Sequence, residues 1–266
     1  MATFTGAYSL HYTTTNIITL SDFRQKHCAA GGEGAPLAVY GDYLIFSKKG
    51  EDRILLNLGG IANFTYLAGD LDANEVFATD TGTGNTLIDR FMQKLYNKSY
   101  DEDAQIAQSG SVSQTLLEQL KKDDFFRKPF PKTTGPELFD LEYVMNAQYQ
   151  SDTTNIPPND LIATLTRFSA ETISEAILEF IDCNTTLNQI YASGGGMHNP
   201  LLIRYLKELL PNFTFSRTDD LGISGDAKEA VLFATLANEA LAGGRTNFGS
   251  RRGVPSVSMG KISFPK

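Results

Sequence analysis

Asp80 opens the run Asp80-Thr81-Gly82-Thr83-Gly84-Asn85, and a helical pattern follows at once through Leu87, Ile88, Phe91 and Leu95. A glycine-rich turn feeding a helix presents backbone N–H groups at the helix N-terminus, where an anion can be received. A carboxylate beside such a cradle is the arrangement expected for phosphoryl transfer, with the acid as proton acceptor or metal partner. Two more glycine turns belong with it. Gly59-Gly60 separates the apolar runs Ile54–Leu58 and Ile61–Leu67, the pattern of a hairpin. Gly194-Gly195-Gly196 follows the strand-like run Gln189–Ser193 and leads into Met197-His198-Asn199-Pro200. Taken alone, these residues have plainer readings of equal weight. Asp80 also suits a capping role toward Asn85, and three glycines also suit an ordinary strand-to-helix turn.

A further glycine-rich stretch, Cys28 to Leu37, carries Glu33 and follows Arg24. It reads equally as a linker between two lobes and as a ligand-facing loop. Composition narrows the rest. With 266 residues, 41% hydrophobic and 20% charged, the chain is one large domain or two small ones with a true core. A net charge of −8 argues against a nucleic-acid footprint and speaks mainly to solubility. Cys28 and Cys183 make neither a disulfide framework nor a metal cluster, so no metal ligands are assigned. His11 and His27 have no evident partners in the sequence pattern and are expected to be structural. The N-terminal residues lack the basic and apolar regions of a signal peptide, and no apolar stretch is long enough to span a bilayer. The expectation is a cytoplasmic protein with no membrane contact.

Several elements must position these residues. Ile17–Leu20 reads as a strand, and a lobe boundary is expected near residue 50, at the charged turn Lys48 to Asp52. Three strands follow, Ile54–Leu58, Ile61–Leu67 and Val76–Thr79, then a helix capped at Asn85 or Thr86. Residues 97–158 lack periodicity apart from Val112–Leu120, and read as an insertion with its own task. Asp160 is the expected cap of a helix over Leu161–Ile181, whose Leu165, Phe168, Thr172, Ile173, Ala176 and Phe180 share one face. Strand Gln189–Ser193, helix Leu201–Leu210, strand Phe213–Ser216 and helix Ala227–Leu241 complete the pattern, with an irregular tail at 245–266. This order predicts an α/β fold of the ribonuclease-H-like, actin-type ATPase kind. Residues 1–50 read as part of a first lobe and residues 51–266 as a complete second lobe.

At GGIANFTYL, DTGTGN, TTGPELF and SGGGMHNPLL the sequence resembles the anhydro-N-acetylmuramic acid kinases of the actin, heat-shock chaperone and sugar-kinase superfamily. DFRQKHCAAGGEGAPLA, DAKEAVLFATLANEALAG and the tail PSV extend the likeness from about residue 3 to about residue 258. Each motif is weak alone; six in family order are a strong signal. The resemblance implies a cell-wall recycling enzyme that opens 1,6-anhydro-N-acetylmuramic acid with water and phosphorylates O6, using ATP and Mg²⁺. It implies a homodimer. It makes Asp80 the catalytic base and places ATP against Gly59, Gly60, Asn63, Gly82, Gly84, Gly194, Gly195 and Gly196. The amino sugar would meet Arg24, Gly32 and Glu229, with the guanidinium well shaped for the lactyl carboxylate. His198 is expected to pack near the nucleotide, and Lys132 and Glu137 to line the sugar cleft. The family pattern also opens with a phosphate-binding turn of the type GTSxDGxD and a His-Gly-Gln-Thr segment that nothing in this sequence matches. The expectation from that mismatch is weak or no kinase activity, the alternative function being a sugar- or nucleotide-binding module or an inactive fragment.

Overall fold

The structure is a computed structural model that describes residues 16–32, 34, 37–181, 189–243, 246–249 and 254–264. His11, Glu33 and Cys183 lie outside them. The chain separates into two compact units, one of Gly50–Leu67 with Phe77–Asp226, the other of Met1–Lys49 with Ala68–Val76 and Ala227–Lys266.

The unit containing Asp80 is built on a mixed sheet. Number the strands β1 (Thr19–Ser21), β2 (Arg53–Leu58), β3 (Ile61–Leu67), β4 (Phe77–Thr83), β5 (Gln189–Ser193), β6 (Thr214–Arg217) and β7 (Lys261–Ser263). The five-stranded sheet then runs β4-β3-β2-β5-β6. β2, β3 and β4 form an antiparallel meander, and β5 and β6 continue it in parallel from β2. β2 is the middle strand, and Ile54, Leu55, Leu56 and Leu58 are all buried, as expected where both faces of a sheet are covered. Helix Pro158–Phe180 covers the sheet with Ala170, Ile173, Ala176 and Ile177, joined by Leu202 and Leu206 of helix Pro200–Leu209. The six residues expected on one face of the long helix are buried except Phe180, which stacks on Phe77 at 4.4 Å between ring centroids.

The aperiodic stretch 97–158 contains helices Gln105–Gln108, Gln114–Leu120, Asp124–Arg127 and Leu141–Gln150. Their Leu116, Leu117, Leu120, Phe125 and Val144 close around Leu161, Leu165 and Phe168 on the first turns of the long helix. Short helices show little periodicity, but their caps are readable. Ser113, Asp123 and Asp140 each accept a backbone N–H at a helix start.

Three expectations are corrected here. β4 does not stop at Thr79. It continues to Thr83 opposite Ile61, so Asp80 lies within a strand and not in a turn after it. The long helix begins at Pro158, where a missing N–H and a fixed φ suit the first helical position; Asp160 instead accepts the Ser111 N–H at 2.8 Å. The tail is not wholly irregular, because β7 pairs antiparallel with β1.

The second unit groups residues 227–266 with residues 1–49, where the sequence-based division kept 51–266 together. Helix Lys228–Ala242 is the reason. It packs on helix Ala38–Phe46 at Gly41, where a Cβ would come within 1.9 Å of Leu232 Cδ1. Lys228 Nζ meets the buried Asp42 Oδ1 at 3.0 Å in the same contact.

Candidate active site

Asp80 is held by its neighbours on two sides. On one, Asn63 of β3 is its ladder partner, and the register slips at Ala62/Asn63 so that Thr81 is an extra residue on β4. Such a bulge bends a strand and re-aims the adjoining side chain. The Thr81 hydroxyl donates to Ala62 O at 3.1 Å, and Gly82 takes φ +130°, a conformation an L side chain rarely adopts. On the other side, residues 132–134 run along β4. Asp80 N–H donates to Lys132 O at 3.0 Å, and Lys132 N–H donates to Thr79 Oγ1 at 3.0 Å. The Thr134 N–H donates to Asp80 Oδ2 at 2.8 Å. That bond fixes one carboxylate oxygen. Burial pushes the Asp80 carboxyl above its ordinary value, and the Thr134 N–H offsets part of the rise. A half-buried carboxylate that binds protons more tightly than usual is a better base.

Residue 132 brings a buried lysine to this segment. Lys132 Nζ donates to Phe126 O at 3.2 Å and lies over the rings of Phe125 and Phe130 at 5.2 and 4.8 Å. Burial lowers its affinity for the proton. These contacts anchor the segment that supplies Thr134 to Asp80.

The hairpin turn between β2 and β3 is bonded to the start of helix Thr86–Tyr96. Gly84 and Thr86 donate to Gly60 O at 2.8 and 3.1 Å, and Asn85 N–H donates to Gly59 O at 2.9 Å. The Asn85 amide donates to Leu58 O and Gly59 O, both at 3.1 Å, and so does not cap its own helix. This takes the N–H groups of residues 84–86 out of the anion cradle expected at that helix N-terminus. The N–H groups of residues 84–86 are spent on the hairpin. The glycines follow from the same contact. A Cβ on Gly84 would sit 2.3 Å from Gly59 O, and one on Gly60 would sit 2.8 Å from Thr86 Oγ1. Ser169 of the long helix donates to Gly84 O at 2.7 Å and pins the turn from behind. Gly60 itself is exposed.

The third glycine turn completes this corner. β5 lies beside β2, so the loops after both strands emerge together. Gly194 takes φ +89°, and a Cβ there would press on Leu58 O at 2.8 Å; one on Gly196 would sit 2.8 Å from Leu58 Cβ. Gly195 faces open space and is exposed. Between this loop and helix Thr86–Tyr96 lies a cavity of about 460 Å³ whose lining includes Asn85, Asp89, Gly195 and His198. His198 also borders a second cavity of about 700 Å³ with Met197, Arg204 and Phe215. Gly59, Gly60, Gly82, Gly84, Asn63, Asp80 and the Gly194–Gly196 run thus belong to one sheet corner.

Arg24, Gly32 and Glu229 belong to the other unit. Arg24 is exposed and donates Nη1 to Gly34 O at 2.7 Å. Gly32 leaves room for the buried His27, whose Cε1 would lie 2.2 Å from a Cβ on Gly32. His27 has defined partners: Nδ1 accepts the Gly34 N–H at 2.9 Å, and Nε2 lies 3.0 Å from the Tyr40 hydroxyl. That hydroxyl donates onward to Pro255 O, so Nε2 carries the proton. Glu229 is exposed in the first turn of its helix. Thr79, Thr134 and Asp89 were not singled out in the sequence. TTGPELF was the available signal for Thr134, and the four-residue step from Asn85 was the signal for Asp89. Among the described residues no helix is long and apolar enough to cross a membrane.

The family model for anhydro-N-acetylmuramic acid kinase matches residues 4–265. An anhydro-N-acetylmuramic acid kinase of Pseudoalteromonas atlantica is 53% identical over 95% of this chain and 63% of its own length. One of Pseudoalteromonas translucida is 50% identical over 94% of this chain and, again, 63% of its length. The chain therefore spans somewhat under two thirds of the curated relatives it matches. Among solved structures, an activator of 2-hydroxyisocaproyl-CoA dehydratase from Clostridium difficile aligns with a TM-score of 0.41 and 16% identity over 75% of this chain and 67% of that one, too distant a likeness to bear on fold or function.

Proposed function

The chain belongs to the anhydro-N-acetylmuramic acid kinase family, and from that premise we propose that it opens 1,6-anhydro-N-acetylmuramic acid and phosphorylates O6 with ATP in cell-wall recycling. Asp80 carries the reading, because it is a half-buried carboxylate with one oxygen held by Thr134 N–H and its proton affinity raised by burial. Asp80 takes a proton from water as that water bonds to the anomeric carbon. The bond from that carbon to O6 breaks, O6 attacks the γ-phosphoryl group and ADP leaves. A base in this role supplies roughly 10²–10⁴ of the rate.

The nucleotide fits the corner beside Asp80 in this reading. Its phosphates meet the exposed hairpin tip at Gly60, since the N–H groups of residues 84–86 are bonded to that hairpin. Gly195 leaves the backbone open to the nucleoside. Among the described residues no group of three or more acidic, histidine or cysteine side chains could hold a metal. Mg²⁺ bound with ATP would offset the charge of its phosphates. Arg24, Gly32 and Glu229 contact the sugar in this reading. The five-strand order, an antiparallel meander extended in parallel, supports a ribonuclease-H-like, actin-type lobe. A homodimer and a cytoplasmic location complete the proposal.

The test is direct. Purified chain, ATP, Mg²⁺ and the anhydro sugar should yield ADP and N-acetylmuramic acid 6-phosphate in equal amounts, read by mass spectrometry. ADP release that does not depend on the sugar, or none at all, would overturn the proposal.

A further inference from the structure

We infer that Asp89 receives the two ribose hydroxyls of the nucleotide, in the cavity between helix Thr86–Tyr96 and the Gly194–Gly196 loop. The inference rests on the nucleotide site proposed above and names which part of the ligand enters which part of the corner. The cavity holds about 460 Å³, within the range of small-molecule sites. Its carboxylates are not equivalent. Asp101 is spent, accepting the N–H groups of Ile106 and Ala107 at 2.9 Å each, and Glu102 and Asp103 are exposed to water. Asp89 alone of the four is half-buried with no hydrogen-bonding or ion-pair partner among the described residues.

Asp89 lines that cavity half-buried, and a carboxylate there with no protein donor is open to a ligand that brings donors. An ionised carboxylate only accepts, and its two oxygens match a vicinal diol that donates twice. Phosphate is the wrong occupant here, because four carboxylates line the cavity and would repel it. The uncharged part of a nucleotide is the right one. Burial pushes the Asp89 carboxyl up to about 6, so the group is still ionised at neutral pH.

Position supports the same assignment. Asp89 lies one turn beyond Asn85, whose amide is bonded to Leu58 O and Gly59 O. At 1.5 Å per residue, this sets Asp89 roughly 6 Å along the helix from the residue that grips the phosphate hairpin. A nucleotide with its phosphates at Gly60 then has its ribose beside Asp89 and its base toward Gly195 and His198.

Calorimetric titration of the whole chain with ATP, 2′-deoxyATP and 3′-deoxyATP, without sugar, tests this. The unaltered protein should bind ATP about tenfold more tightly than either deoxy analogue, the size expected for a hydrogen bond to a charged group. Asp89→Ala should lose about a hundredfold for ATP and about tenfold for each analogue, so that discrimination disappears. ATP binding with no preference over the analogues would overturn the inference and leave the proposed function standing. So would a preference that survives intact in Asp89→Ala. The analogue comparison needs no variant, so a folding defect cannot mask it. A chain that binds none of the three nucleotides would overturn both readings.

Discussion

Replacing Gly84 by alanine tests the joint between the hairpin and the turn after β4. The added Cβ would lie 2.3 Å from Gly59 O and 3.3 Å from Gly59 C, both backbone atoms, so no side chain can swing away to make room. Overpacking of this kind costs roughly 1–3 kcal/mol. Relief requires the hairpin to lift, which strains the bonds from Gly84 and Thr86 to Gly60 O and from Asn85 to Gly59 O. Two of these lost at about 1 kcal/mol each bring the expected destabilisation to about 3–5 kcal/mol. Gly195→Ala is the matched control, because its Cβ would meet nothing within 4 Å. Urea unfolding followed by circular dichroism should move the Gly84→Ala midpoint down by at least about 1 M, taking an m-value of about 2–3 kcal/mol/M. Gly195→Ala should stay within about 0.5 kcal/mol of the parent. A Gly84→Ala protein as stable as the Gly195→Ala protein would refute the reasoning that these glycines exist for backbone packing.

Other consequences follow from the same contacts. Thr79→Val removes the acceptor of the Lys132 N–H and should destabilise by roughly 1–3 kcal/mol in the same unfolding assay. It should also loosen Thr134 from Asp80, so that the acid limb of the pH–rate profile moves upward; an unmoved limb would contradict the link. Asp89, with a folded value of about 6 against an ordinary 3.8, makes the native state bind more protons than the unfolded state between those values. Stability should therefore fall as pH rises from about 4 to 6. Asp89→Asn should flatten that slope and raise stability at pH 7 by about 1 kcal/mol, the shift being discounted because the group is only half-buried. A variant less stable at pH 7 than the parent would contradict the unpartnered state of Asp89.

The meander and the parallel strands were legible because each is a short apolar run bounded by glycine or polar turns. The long helix was legible from its buried face. Of residues 97–158 only the helix ending at Leu120 was legible, since helices of four to ten residues carry too few turns to show a period. β7 pairs over three residues and has no pattern to read. At the site, Asp80 and its glycines were legible from type and spacing, but what holds them was not. Thr134 lies 54 residues along the chain from Asp80 and acts through its backbone, which no side-chain motif encodes. The expected anion cradle lost donors for a related reason: a tertiary contact with two carbonyls uses the N–H groups of residues 84–86, which local sequence leaves available.

Asp80 is the proposed base that activates water. Its most direct test is the rate of sugar-dependent ADP release by Asp80→Asn beside the unaltered chain, with ATP affinity and melting temperature measured on both. Asp80→Asn should lower the rate about 10²–10⁴-fold, with ATP affinity within about threefold and a melting temperature unchanged or slightly raised. A rate within about tenfold of the parent would contradict it, because the carboxylate would then have no essential part in removing the proton.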